Sequence, residues 1–235
     1  MPLFNLDKPK LTSIIVSSLN NTRFSCHMTM QCLANITKFT NPEEYELILI
    51  DPDPKYPVRD DYKVLKIDKW LKLKPDPGYT AGMNLGVKES EGDYLVFIQN
   101  DVFVHEGWLP SLRQYLETGD CDVVFPDQVP RNRQYVLETY KRNPFDPESM
   151  KGGRDAGLLM ITRRGFLLTE GWNEKLGFLC DKDFYDRMHK ADLRWTDTNK
   201  IIITHIMAAT NLQLMEEKPK EYDRRMARDA KLLND

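Results

Sequence analysis

The stretch Gly78-Tyr-Thr-Ala-Gly-Met-Asn-Leu-Gly86, followed by Tyr94-Leu-Val-Phe-Ile-Gln-Asn-Asp101, is the part of this chain best suited to chemistry. Its glycines open a turn into a short helix, and Gly92-Asp93 turns the chain into an apolar strand. That strand ends on Gln99, Asn100 and Asp101. Open α/β sheets bind ligands outside the carboxyl ends of their strands. A carboxylate placed there can hold a hard divalent cation or a polar substrate, which makes Asp101 the first candidate. The glycine spacing matches neither a dinucleotide fingerprint nor a phosphate loop of the Walker type.

The elements around Asp101 must place it. Leu11 to Val16 is a short β-branched run, read as a buried strand that ends in the polar turn Ser17 to Asn21. Phe24, Met28, Cys32, Ile36 and Phe39 recur at helical spacing, with Asn21 or Thr22 as the cap. Tyr45 to Ile50 is a second strand, stopped by Asp51-Pro52-Asp53-Pro54. Tyr62 to Ile67 reads as a third, Gly78 to Ser90 as turn and helix, and Tyr94 to Ile98 as the strand before Asp101. A helix carries Trp108, Leu112, Tyr115 and Leu116 on one face, and Cys121 to Pro126 is strand-like. From Asp127 to Arg154 the periodicity is lost, and a loop of that length is usually functional. Gly157 to Thr162 and Lys200 to Thr204 are the last strands, the latter ending at His205, with a helix over Asp181 to Lys190 between them. Strands alternating with helices predict an α/β fold with a mostly parallel central sheet flanked by helices.

Composition narrows the class. Of 235 residues, 41% are hydrophobic and 29% charged, which is ordinary for a globular domain. A net charge of −3 does not mark a nucleic-acid binder. Cys26, Cys32, Cys121 and Cys180 lie far apart without a Cys-x-x-Cys pair, so reduced cytoplasmic thiols are expected. No signal-like apolar core opens the chain and no run is long enough for a membrane span. Residues 214–235 read as a charged tail or helix.

Ser13-Ile-Ile-Val16 with Asn20, Leu47-Ile-Leu-Ile-Asp51, the Gly78–Gly86 turn and Gly92 to Asp101 resemble, in order and spacing, the family 2 glycosyltransferases. Within that family the soluble rhamnosyltransferase-like branch is the most similar. The likeness runs from about Leu11 to Gln213. It implies a single GT-A domain over residues 1–213, with a donor half at about 11–126 and an acceptor half at about 127–213. It also implies inverting transfer of a sugar from a nucleotide diphosphate donor to a hydroxyl, assisted by Mn²⁺ or Mg²⁺. A glycan, a lipid-linked sugar, a protein or a modified nucleobase would carry that hydroxyl.

Residue by residue, the resemblance makes Asp101 the last aspartate of an Asp-x-Asp-like metal motif whose earlier positions are Gln99 and Asn100. It makes His205 a second metal ligand and Asp51 the contact to the nucleobase imide, which favours a UDP or dTDP sugar. Ser17, Asn20, Gly78, Asn84 and Asn100 then line the donor pocket. On the acceptor side Gly171-Trp172-Asn173-Glu174 and Asp181-Lys-Asp183 follow the pattern, with Asp181 as the catalytic base and Trp172 and Asp183 nearby. Cys180 replaces the usual glutamate. Arg131, Arg133 and Arg142 are candidates to hold a diphosphate or an anionic acceptor. Gln99 and Cys180 support a rival reading, a catalytically silent GT-A domain that binds carbohydrate or nucleotide. A sugar-nucleotide nucleotidyltransferase is disfavoured because Ser17 to Arg23 has no glycine.

Overall fold

The computed structural model describes residues 11–18, 20–52, 55–56, 58, 65–129, 157–205 and 218–234. The apolar runs become strands β1 (Thr12–Ser17), β2 (Tyr45–Pro52), β3 (Lys69–Leu73) and β4 (Tyr94–Gln99). They are followed by β5 (Val102–Phe103), β6 (Val123–Val129), β7 (Leu158–Thr162) and β8 (Trp195–His205). One sheet contains them in the order β3-β2-β1-β4-β7-β6-β8-β5. The strands β3, β2, β1 and β4 are parallel. Beyond them β7 runs antiparallel between β4 and β6, while β6 and β8 pair in parallel. The sheet is therefore mostly parallel as expected, with six of its eight strands running one way and only β7 and β5 reversed. A continuous apolar run shows that a strand is buried on both faces but carries no direction.

Helices cover both faces. Along β1, Ile14 and Val16 point to one core and Ile15 to the other. The first core packs under α1 (Arg23–Phe39) and α3 (Trp108–Glu117) through Cys32, Leu33, Ile36, Trp108 and Leu112. The second packs under α2 (Tyr79–Lys88), α4 (Arg163–Leu168) and α5 (Cys180–Lys190) through Met83, Phe166, Phe184 and Met188. Each such side chain contributes about 1.5–3 kcal/mol on full burial. Thr22 caps α1 in a reciprocal box: its Oγ1 accepts from Ser25 N and Ser25 Oγ accepts from Thr22 N, both at 3.0 Å. Among the described residues no helix is long and apolar enough to cross a membrane.

Several expected boundaries move. The third strand is not Tyr62 to Ile67: residues 62–64 lie outside the described set, 65–67 form no strand, and β3 is Lys69–Leu73. Lys69 and Lys72 lie on this edge strand, where charge discourages pairing with another chain. β6 continues past Pro126 to Val129, with a register shift between Pro126 and Asp127. A proline can sit at such an irregularity. Arg131, Arg133 and Arg142 lie outside the described residues.

The charged C-terminal segment contains a helix, α6 (Pro219–Asn234). Its Asp229 is fully buried and accepts from the backbone N–H of Gly177 and Phe178 at 2.8 and 2.7 Å. A second buried carboxylate, Glu46, accepts from Ser13 Oγ at 2.6 Å and lies 3.1 Å from Lys69 Nζ. Burial opposes ionisation of both. At Glu46 the bonds from Ser13, the Glu91 N–H and Lys69 outweigh it, and at Asp229 those from Arg228 and the backbone do. Both carboxyls are thereby held below their ordinary range. The folded state then binds fewer protons than the unfolded chain, in which Glu and Asp titrate near about 4.3 and 3.9. Their stabilisation is complete above about pH 5 and is lost as pH falls through the folded-state values. Thermal midpoints measured from about pH 6 to about pH 3 should fall, and fall less steeply in Glu46→Gln.

Candidate active site

Parallel pairing brings the polar strand ends to one edge. Ser17 at the end of β1 lies beside Ile50 on β2 and Gln99 on β4. Ser17, Ser18, Asn20, Asp51, Asn100 and Asp101 therefore converge on the carboxyl edge of the sheet, as expected for a ligand site.

β8 brings His205 to the same place, paired with Val102 of β5. His205 Nε2 lies 3.2 Å from Asp101 Oδ1, and both side chains are buried. Its Nδ1 lies 2.9 Å from Gln128 Oε1 on β6. With Nδ1–H donating to that oxygen, Nε2 turns its second position toward the carboxylate. Two acceptors at that separation require a proton or a metal ion between them. Neighbouring ligands of an octahedral cation at about 2.1 Å stand about 3 Å apart, so the pair fits a divalent ion. One nitrogen and one oxygen suit Mn²⁺ better than Mg²⁺. No group of three or more His, Cys, Asp or Glu able to hold a metal occurs among the described residues. Gly157 packs against the His205 ring, where an added Cβ would meet Nδ1 at 2.6 Å.

Beneath this pair lies a buried polar relay. Asn100 Nδ2 donates to Thr29 Oγ1 at 2.8 Å, and Thr29 Oγ1 lies 2.7 Å from Asn20 Oδ1. Asn20 is fully buried, so it forms the floor of the edge. Cys32 lies under the same strand end, with Sγ 3.7 Å from Gln99 O, and burial and then the Asp101 charge keep its thiol protonated. Asp51 is 1% exposed; it accepts from Ser18 Oγ at 2.7 Å and from Trp70 Nε1 at 3.1 Å. Contact between its carboxylate and a nucleobase requires one of these donors or the covering chain to move. Ser17, by contrast, is only half-buried.

Two glycines after the turn serve packing. Gly78 has φ +90° at the N-cap of α2, a conformation that favours glycine. Inside the helix, a Cβ on Gly86 would sit 2.6 Å from Ile15 Cγ2, and one on Gly82 would sit 2.9 Å from Ile50 Cγ2. These two glycines let α2 lie close on β1 and β2. Asn84, expected at the donor pocket, clamps α2 to the segment before α5. Its Oδ1 accepts from Trp172 N at 2.8 Å, and its Nδ2 donates to Trp172 O at 2.8 Å and Glu174 Oε1 at 2.9 Å. The side-chain amide thus pairs with the backbone N–H and C=O of one residue, as a neighbouring strand would.

Trp172, expected on the acceptor side, is packed into the core. It is 2% exposed and stacks on Phe184 at 4.3 Å, so neither ring face is open to a sugar. Trp108 is likewise a core side chain, donating to Thr40 Oγ1 at 3.0 Å. Asp183 Oδ2 accepts from both Nε and Nη2 of Arg187, at 2.9 and 2.6 Å. The same guanidinium reaches Thr169 O and Gly171 O. Arg187 therefore holds α5 to the preceding turn, and Asp183 orients it from within the same helix.

Asp181 is half-buried in the first turn of α5, whose N-cap is Leu179. Thr80 Oγ1 on α2 donates to Leu176 O at 3.0 Å, which brings this segment to the edge where α2 begins. Cys180 Sγ lies 3.6 Å from Asp181 Oδ1. Burial first, and the Asp181 charge second, push the Cys180 thiol well above its ordinary range, so it stays protonated and can donate. Ser18, Trp70 and Gln128 are contributors that the sequence reading missed. Ser18 was hidden by its neighbour Ser17, Trp70 by the displaced third strand, and Gln128 by the proline before it.

The sequence profile of "Glycosyl transferase family 2" matches residues 13–177. Two curated relatives are "Uncharacterized glycosyltransferase EpsJ" of Bacillus subtilis and "Poly(ribitol-phosphate) beta-N-acetylglucosaminyltransferase TarP" of Staphylococcus aureus. EpsJ is 22% identical over 220 residues, covering 88% of this chain and 59% of the relative. TarP is 30% identical over 120 residues, covering 49% and 36%. Among solved structures, mannosyltransferase PcManGT from Pyrobaculum calidifontis, in complex with GDP-Man and Mn²⁺, superposes with a TM-score of 0.69 at 14% identity. That match covers 96% of this chain and 65% of PcManGT. S. aureus TarS (residues 1–349) gives 0.62 at 15%, covering 83% and 60%. The chain thus spans less than two thirds of each of these proteins. Their names do not carry the narrower likeness to rhamnosyltransferases. With the profile matched over most of its length and the GT-A fold shared with these structures, this chain belongs to glycosyl transferase family 2.

Proposed function

We propose that the chain moves a sugar from a nucleotide diphosphate donor to an acceptor hydroxyl, with inversion and with a divalent cation bound by Asp101 and His205. The observation that carries this reading is the 3.2 Å approach of those two side chains at the carboxyl edge. The cation, Mn²⁺ in preference to Mg²⁺, would neutralise charge on the departing diphosphate. Two protein ligands leave positions for phosphate oxygens. PcManGT, with its Mn²⁺, supports this use of the fold.

Asp181 takes the acceptor hydroxyl's proton as that oxygen bonds to the anomeric carbon and the carbon–diphosphate bond breaks. Cys180, in place of a glutamate, offers Asp181 a thiol donor and leaves it the only carboxylate of the pair. A pyrimidine donor, UDP or dTDP sugar, rests on the position of Asp51; Ser17 and Asn100 edge the same pocket. PcManGT with GDP-Man shows that the fold also accepts a purine donor. The acceptor is a hydroxyl-bearing glycan or polyol chain, the class that TarP's name describes for TarP. A reducing, cytoplasmic setting fits the free thiols of Cys26, Cys32, Cys121 and Cys180.

A panel of UDP, dTDP and GDP sugars with Mn²⁺ tests the reading by release of nucleoside diphosphate. One donor should be turned over, and Asp101→Ala should lower the rate by about 100-fold or more. Binding of a donor without release, with every acceptor class supplied, would favour the silent domain. Failure to bind any donor would sink the proposal.

A further inference from the structure

Helix α6 has sixteen residues, and its single buried side chain is an aspartate. A helix docked for stability buries an apolar stripe. Here the stripe Tyr222, Met226, Ala230 and Leu233 is only half-buried, and the one fully buried side chain on that face is Asp229.

Asp229 meets the segment that leads into α5. The backbone N–H groups of Gly177, Phe178 and Leu179 all point at its Oδ2, at 2.8, 2.7 and 3.4 Å. Successive N–H groups of this kind form an anion-binding nest. Leu179 caps α5 without a side-chain hydrogen bond, so the nest is where this helix start finds its carboxylate. The other oxygen, Oδ1, accepts from Arg228 Nε and Nη2 at 3.0 and 2.7 Å. A ring contact between Phe178 and Tyr222, at 5.3 Å, is the second tie between the two segments.

Only Cys180 separates the nest from Asp181, so any shift of the nest moves that carboxylate. The profile of the family ends at residue 177, and α6 begins at Pro219, well beyond it. We propose that Asp229 is a positioning residue: through the 177–179 nest it sets where Asp181 stands relative to the acceptor. The inference rests on the assignment of Asp181 as the base.

The test uses the full chain with Mn²⁺ and the sugar nucleotide that binds best among UDP-glucose, UDP-N-acetylglucosamine, GDP-mannose and dTDP-rhamnose. Its slow hydrolysis, with water as acceptor, is followed in wild type, Asp229→Asn, Asp229→Glu, Tyr222→Ala and Asp181→Asn. Asp229→Asn should lower kcat about tenfold with donor KM within about twofold of wild type, and Asp229→Glu should recover part of the loss. Tyr222→Ala loosens the same helix but leaves the carboxylate, so it should lower the melting midpoint and keep kcat. Equal kcat losses in Asp229→Asn and Tyr222→Ala would reduce Asp229 to a structural tie and overturn the proposal. Asp181→Asn as fast as wild type would overturn the base assignment and this inference with it. Asp181→Asn slow with Asp229→Asn unimpaired would overturn the inference alone. Amide exchange over residues 177–182 needs no donor; it should rise in Asp229→Asn while β1 and β4 stay protected, and unchanged exchange is a refutation by itself.

Discussion

Asp181→Asn is expected to lower sugar transfer by about 10²–10⁴-fold while donor affinity stays near that of wild type. The amide has the carboxylate's size and can still accept from the Cys180 thiol, which lies 3.6 Å from Oδ1. It cannot take a proton from the acceptor hydroxyl. The change also removes a negative charge from the first turn of α5, where the helix dipole favours one. That costs about 0.3–1 kcal/mol, too little to unfold the domain. A drop in rate at unchanged calorimetric donor affinity and near-unchanged melting would isolate the proton transfer. If the variant kept half of the wild-type rate, the base would have to be sought elsewhere.

Asp101 was legible because a six-residue apolar strand delivers it, and β4 forms as read. The same holds for Asp51 near the end of β2, all of whose side chains are buried. Position along a strand is written in the chain; partners across the sheet are not. Gln128 reaches His205 only because β6 and β8 pair in parallel beyond the shift at Pro126/Asp127. Nothing local to Pro126 announces that the strand resumes. Trp70 reaches Asp51 because β3 is set against β2 so that Leu49 faces Trp70 and Asp51 faces Lys72. Protein contacts of polar and aromatic residues are equally unwritten. Asn84 and Trp172 belong to one clamp between α2 and the segment before α5, a contact across 88 residues of chain. A tryptophan after a glycine turn looks like a sugar platform until its neighbour Phe184 is known. Leu179 holds the N-cap position of α5, so Asp181 sits inside the first turn rather than at its cap.

Gly92→Ala is expected to destabilise the fold by about 3–5 kcal/mol without changing activity per folded molecule. Gly92 precedes β4 at the amino ends of the parallel strands, the edge opposite the candidate site. A Cβ there would lie 2.5 Å from Ser13 Oγ, 2.6 Å from Ser13 N and 2.8 Å from Leu11 O. The hydroxyl can rotate away, but the two backbone atoms belong to β1 and its lead-in and cannot. The Gly92 N–H also donates to Ser13 Oγ at 2.8 Å and to Glu46 Oε1 at 3.2 Å. Displacing it therefore disturbs a buried carboxylate that ties together the starts of β1, β2 and β4. Overpacking costs about 1–3 kcal/mol and each weakened hydrogen bond about 1 kcal/mol more. Gly107 is the control: its φ is +75° with no atom within 4 Å of an added Cβ, so alanine there costs only the backbone strain of about 1–2 kcal/mol. Ser13→Ala added to Gly92→Ala should fail to restore stability, because the backbone contacts persist. Urea unfolding of these variants reads the difference directly. A Gly92→Ala protein within about 1 kcal/mol of wild type would mean that the β1–β4 register can yield at its amino end, and that the close approach is not what selects glycine there.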